Sequence, residues 1–161
     1  MSGTSGTSAA SIMPARLVTI PDSHCDLLTG SVYGVLATMM PDGQPQCCVV
    51  WVDYDGAHVR INTTLERQKG LNMQANPRVT LLVVDPRNTS RWIEVRGRVV
   101  ELQREGAENH ADELTRRYTG KEHFYGDIYP VERRREETRV IALIEPLKVS
   151  LDAVFKQGGD A

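Results

Sequence analysis

A chain of 161 residues that is 40% hydrophobic and 25% charged carries enough apolar material for one domain of ordinary size, with no need of disulfide or metal staples. Its net charge of -2 gives no general attraction to nucleic acid or acidic membranes, and no apolar run approaches the ~20 residues of a membrane-spanning helix. Cys25, Cys47 and Cys48 show no metal-binding or redox spacing and no signal-peptide pattern opens the chain, so a reduced, cytoplasmic setting is expected.

Residues 1–12 are mostly Ser, Gly, Thr and Ala, and are expected to form a disordered tail ahead of a single domain over 13–156, with a second tail over 157–161. Pro21-Asp22 opens a short helix whose apolar positions are Cys25, Leu27 and Leu28, with Gly30 just past its end. A strand over 31–40 and another over 45–54 flank the turn Pro41-Asp42-Gly43, a hairpin signal. Asp55-Gly56 turns the chain into a third strand over 57–63, with Val59 and Ile61 inward and His58, Arg60 and Asn62 outward.

Thr63 and Glu66 have the spacing of a capping box for a helix that Asn76-Pro77 stops. The nearly continuous apolar run 78–85 predicts a strand buried on both faces. A long strand over 92–102 follows, with Gly97 marking a bulge or close backbone approach. Ala107, Ala111, Leu114 and Tyr118 share one face of a helix over 106–118. Residues 119–137 are polar, and predict a loop with some helical turns. A strand over 138–144 is expected to be broken by Pro146, with a last one over 148–155. Hairpins dominate and no regular β-α-β alternation or G-x-G-x-x-G occurs, so the expected architecture is mainly β with helices (α+β): an antiparallel sheet curled into a barrel.

The segment most informative about chemistry is residues 61–77, INTTLERQKGLNMQANP. Here a strand runs into a helix start, with Thr63 and Thr64 at the junction and Arg67 and Lys69 just beyond. Unpaired amides, hydroxyls and cations at a helix start make a phosphate site. The residues alone leave open the other reading, a capped surface helix with solvated cations. The four histidines share no spacing and read as surface residues, with no metal site. No side chain stands out as a catalytic acid or nucleophile, so catalytic residues are left unassigned.

The order of VYGVLATMMPDGQPQCCVVWVDYDG, INTTLERQKGLNMQANPRVTLLVVDP, RWIEVRGRVVEL, LTRRYTG and TRVIALIEPLKVS resembles the pyridoxamine-phosphate-oxidase-like superfamily over nearly all of the chain after residue 20. The resemblance implies a split β-barrel of the FMN-binding type, forming a homodimer with a flavin or deazaflavin groove at the subunit boundary. By position, Arg67 and Lys69 match the superfamily's phosphate-binding Arg-x-Lys, and Thr63 and Thr64 the strand-end residues beside that phosphate. Val49, Val50 and Trp51 match the segment whose backbone lies along the tricyclic ring, and Trp92 sits where the partner subunit closes the groove. VVWVDYDG together with TRVIALIEP is similar to the branch that uses coenzyme F420, a 5-deazaflavin with a phosphate and an acidic oligoglutamate tail.

The implied activity is an F420-dependent oxidoreductase passing hydride between the reduced cofactor and a small unsaturated organic substrate. FMN in place of F420, and a non-catalytic carrier of flavin, deazaflavin or haem, remain as alternatives. Arg133-Arg134-Arg135 could attract the acidic tail, although such runs are more often solvated. Tyr118, Tyr125 and Tyr129 fall near the groove mouth.

Overall fold

The structure is a computed structural model that describes residues 18–152. The expected tails over 1–12 and 157–161, and the end of the last expected strand, lie outside those residues. A single helical turn Asp22–His24 leads into α1 (Cys25–Thr29). Then come β1 (Gly34–Met39), β2 (Pro45–Val50), β3 (Asp53–Tyr54) and β4 (Val59–Thr64). After α2 (Gln68–Ala75) follow β5 (Arg78–Val84), β6 (Trp92–Gln103) and α3 (Ala107–Thr119). The four-residue α4 (Arg133–Glu136) and the long β7 (Arg139–Leu151) are the last elements among the described residues.

All strands pair antiparallel, in the order β2-β1-β5-β6-β7-β4-β3. The two edges of this sheet, β2 and β3, are separated in sequence by Trp51 and Val52 alone. The sheet therefore curls until its edges meet through the chain itself. This is a split β-barrel. Leu36, Val52, Val59, Ile61, Leu81, Val83, Ile93 and Ile144 fill it, each essentially inaccessible to water.

Several sequence expectations need correction. The strand expected over 45–54 breaks at Trp51-Val52, because the Val52 amide donates to the Tyr118 hydroxyl of α3 (2.9 Å) rather than to a neighbouring strand. That hydroxyl in turn donates to Val32 O at 2.8 Å. Pro146 does not end β7. It sits opposite Gly97 at a register shift between β6 and β7, where a residue lacking an N–H is tolerated. A Cβ on Gly97 would lie 2.7 Å from Glu145 O, the close approach its position suggested.

The capping box is not formed. Glu66 instead accepts the Thr138 amide, and α2 starts at Gln68 with Arg67 as its N-cap. Strand β5 is not covered on both faces within one chain: Leu82 points outward and is 38% exposed.

Two of the four histidines are buried rather than on the surface. His24 lies 3.0 Å from the Asp152 carboxylate, tying the turn before α1 to the residue after β7. His110, on α3, lies 3.3 Å from Asp53 on β3.

Asp53 also pairs with Arg60 across the β3–β4 ladder and with Arg117 at 3.0 Å. Burial opposes its ionisation, but hydrogen bonds from His110 and Arg60, with the Arg60 charge, outweigh it and hold the carboxyl far below the usual carboxylate range. With the folded pKa depressed, this contribution to stability is complete above an unfolded pKa near ~4 and is lost as pH falls below it. Denaturant midpoints measured from neutral pH downward are expected to hold until about pH 4 and then fall, with a shallower fall in Asp53→Asn. Equal slopes in the two proteins would contradict this role for Asp53.

Candidate functional site

The main pocket, about 290 Å³, lies where the break between β2 and β3, the start of α2, the face of α3 and the loop before β7 converge. Val49, Val50 and Trp51 form one wall, and Ala111 and Leu114 of α3 another. Phe124, Ile128 and Tyr129, from the segment after α3, form a third. Arg67, Lys69 and Arg139 supply three cations, and among the described residues no carboxylate lines the pocket.

Each wall has a local cause. Trp51 stacks on Tyr118, with ring centroids 5.3 Å apart and planes 12° from parallel, and meets Phe124 edge-on at 6.3 Å. Tyr118 thus both caps the strand break and holds Trp51 in place. The ion pair of Asp53 with Arg117 and its hydrogen bond with His110 fix α3 against β3, which sets the position of Ala111 and Leu114. Arg67 stands at the N-cap of α2 and Lys69 at its second helical residue, beside amides that have no partner within the helix.

Alternation along β4 separates the two predicted threonines. Thr63 follows Val59 and Ile61 toward the barrel interior, where its buried hydroxyl has no hydrogen-bond partner among the described residues. Thr64 points the other way and lines a second cavity of about 280 Å³ with Arg67, Tyr129, Arg133 and three glutamates. Arg67 and Tyr129 border both cavities, so the two adjoin. Trp92 does not line the pocket of its own chain. It opens β6 opposite Val84, on the outer face of the sheet with Leu82.

Sequence reasoning missed several lining residues, among them Asn62 and Arg139. Asn62 is fixed by bonds to Ala107 O (2.8 Å), to the His110 ring (3.1 Å) and from Arg139 (2.8 Å). Arg139 is held by residues as far as 77 positions away, and no local pattern announces such a partnership. Of the Arg133–Arg135 run, Arg134 is paired with Glu108, and Arg133 lies 3.6 Å from Glu136.

The pattern of the family described as pyridoxamine 5'-phosphate oxidase matches residues 20–151. The chain belongs to this family. Within the pyridoxamine 5'-phosphate oxidase family, it is similar to a solved structure called F420 reductase. The two share 35% identity over 81% of this chain and 98% of that one, with a TM-score of 0.69. It is also similar to a conserved hypothetical protein from Mycobacterium tuberculosis, 26% identical over 94% of this chain and 95% of that one, with a TM-score of 0.65. A FAD-binding protein from Mesorhizobium loti, at 24% identity, 84% and 96% coverage and a TM-score of 0.56, shares the fold. No match is found among curated proteins.

Of the eight residues singled out by resemblance to this oxidase family, five line the main pocket: Val49, Val50, Trp51, Arg67 and Lys69. The lining is chemically matched to a flat apolar ring with an anionic extension. Valine and aromatic walls suit the ring, while cations at a helix start suit the anion.

Proposed function

We propose that this chain is an F420-dependent oxidoreductase that reduces a small unsaturated organic acceptor. The observation that carries the proposal is one pocket in which the Val49–Trp51 strip faces the same space as Arg67 and Lys69. Arg67, Lys69 and the first amides of α2 would hold the phosphate, with Thr64 beside it. Val49, Val50 and Trp51 would support the ring, and Trp51 is kept in register by Tyr118. When bound in reduced form, the deazaflavin supplies the hydride. The protein contributes position, by keeping an acceptor against the ring face, and exclusion of bulk water by the aromatic walls. The proton that completes reduction would come from solvent or from a proton-bearing group of the lining, Tyr33, Tyr129 or Lys69. FMN is the second reading, because the same cations fit its phosphate; the 35% identity to a protein called F420 reductase favours F420.

The functional form would be a homodimer. Val49, Val35 and Leu82 face each other across neighbouring strands on the outer sheet surface and are 66%, 40% and 38% exposed. Tyr33 and Val49 belong both to this apolar face and to the pocket lining, so a second copy seated there would close the open side of the groove. Trp92 of the partner subunit is the natural cover. Leu82→Glu is expected to give a monomer by light scattering, with F420 binding weakened together with assembly. A monomeric wild-type protein would remove this part of the proposal.

Activity is tested by following bleaching of reduced F420 when an enone acceptor is added. Tight binding of F420 without turnover across an acceptor panel would favour a carrier. Tight binding of FMN with no affinity for F420 would overturn the deazaflavin assignment.

A further inference from the structure

Arg139, the first residue of β7, is 7% exposed yet lines the main pocket. Its Nε donates to the Tyr125 hydroxyl (3.0 Å), Nη1 to Asn62 Oδ1 (2.8 Å) and Nη2 to Glu137 Oε1 (2.8 Å). The guanidinium lies over the Phe124 ring, 4.1 Å from its centroid. A guanidinium has five N–H groups, so these three bonds leave one on each terminal nitrogen for a ligand.

The surroundings join Arg139 to the pair at the start of α2. Arg67 lies 5.1 Å from the centroid of Tyr129, and Tyr129 stacks on Phe124 at 5.1 Å, so the two guanidiniums bracket one aromatic pair. Arg139 is also the direct cross-strand partner of Thr64, three residues before Arg67. Glu137 lies near both. Burial opposes its ionisation, but hydrogen bonds from Tyr125 and Arg139, with the charges of Arg139 and Arg67, hold its carboxyl below the usual range. Arg67 and Arg139 thus share Glu137, whose carboxylate already accepts from Tyr125 and Arg139, while the pocket they line with Lys69 holds no carboxylate among the described residues. The cluster retains positive charge that an oxyanion can neutralise.

We propose that Arg139 completes a three-cation seat with Arg67 and Lys69 and donates its remaining N–H groups to the phosphoryl oxygens of the cofactor. This rests on the phosphate reading of the pocket given above. Arg67 and Lys69 are only half-buried, and must be ordered when the ligand arrives. Arg139 is already ordered by its partners, so its contribution carries little ordering penalty. No motif near residue 139 predicts this role, because the residues that fix the side chain come from β4 and from the segment before β7.

The test compares FMN with riboflavin, which differ in the phosphate alone, and F420 with its deazaflavin core, which lacks both the phosphate and the acidic tail. Full-length wild-type, Arg139→Gln and Arg139→Lys proteins are titrated with FMN and riboflavin, and with F420 and its phosphate-free deazaflavin core. Arg139→Gln should weaken the phosphorylated ligand of each pair at least tenfold more than its phosphate-free counterpart. Arg139→Lys should restore part of the difference. Equal losses for both members of a pair would overturn the proposal and leave Arg139 as a support for Asn62 and Glu137. Should Arg139→Gln not fold, Glu137→Gln provides the converse test, since removing the competing carboxylate should tighten the phosphorylated ligands selectively. An unchanged ratio in that variant overturns the proposal as well. Wild-type protein with no preference for the phosphorylated ligands would overturn the whole seat, whereas a preference that survives Arg139→Gln overturns Arg139 alone.

Discussion

Replacing Arg67 and Lys69 together by alanine is expected to reduce F420 affinity by at least about a hundredfold, with little change in melting temperature. Each side chain would make a charge-assisted hydrogen bond to the phosphate, and such bonds contribute roughly 1.5–3 kcal/mol when measured by deletion. Lys69→Ala alone should therefore weaken binding by roughly 10- to 100-fold. The fold has little stake in these cations. Both side chains are half-buried at the pocket, and neither is among the residues that fill the barrel. The double variant is checked by fluorescence titration beside a thermal melt. An unchanged dissociation constant would mean that the anion is held elsewhere.

The second large effect is expected from a residue that need not touch ligand. A Cβ on Gly70, the third residue of α2, would lie 2.0 Å from Thr64 O and 3.0 Å from Thr64 C. The helix approaches the end of β4 so closely that only hydrogen fits between the two backbones. Alanine is the better helix former by about 1 kcal/mol, so local propensity alone predicts that Gly70→Ala stabilises the protein. The clash decides otherwise, because its partner is backbone and cannot rotate aside. Overpacking of side chains alone already costs roughly 1–3 kcal/mol, and here α2 must move as a body. The expected result is a net loss of about 2 kcal/mol, or a melting temperature lower by roughly 4–8 °C. Weaker F420 binding should accompany it, since Arg67 and Lys69 move with the helix. A rise in melting temperature would show that helix propensity outweighs the contact.

These two predictions also mark what was legible in the sequence. Alternation placed Val59 and Ile61 inside the barrel, and Gly97 announced its close approach, because both follow from strand geometry within a few residues. Val49, Val50, Trp51, Arg67 and Lys69, which resemblance singled out for cofactor binding, line one pocket. The failures share a different cause. The strand break at Trp51-Val52 depends on the Tyr118 hydroxyl, 66 residues away from Val52. The capping box at Thr63 lost Glu66 to the Thr138 amide, 72 residues along the chain. Pro146 stays within its strand because the opposing bulge falls at Gly97. Burial of His110 and the role of Arg139 likewise depend on partners that only the closed barrel brings near. Propensity and periodicity describe what a segment prefers by itself, and each of these positions is decided by a tertiary contact.

The exposed side of β5 has the same lesson at the next level of structure. A run such as RVTLLVVD reads as buried on both faces, yet in one chain the Leu82 face is open. Pairing with a second copy would reconcile the pattern with the fold, and would also explain why the pocket opens onto that face.

A crystal structure of the protein with bound F420 would show where the phosphate and the ring are held. The phosphate is expected within hydrogen-bonding distance of Arg67 and Lys69 at the start of α2, and the tricyclic ring against Val49–Trp51. A ring seated in another cleft, with that corner filled by solvent, would contradict this expectation.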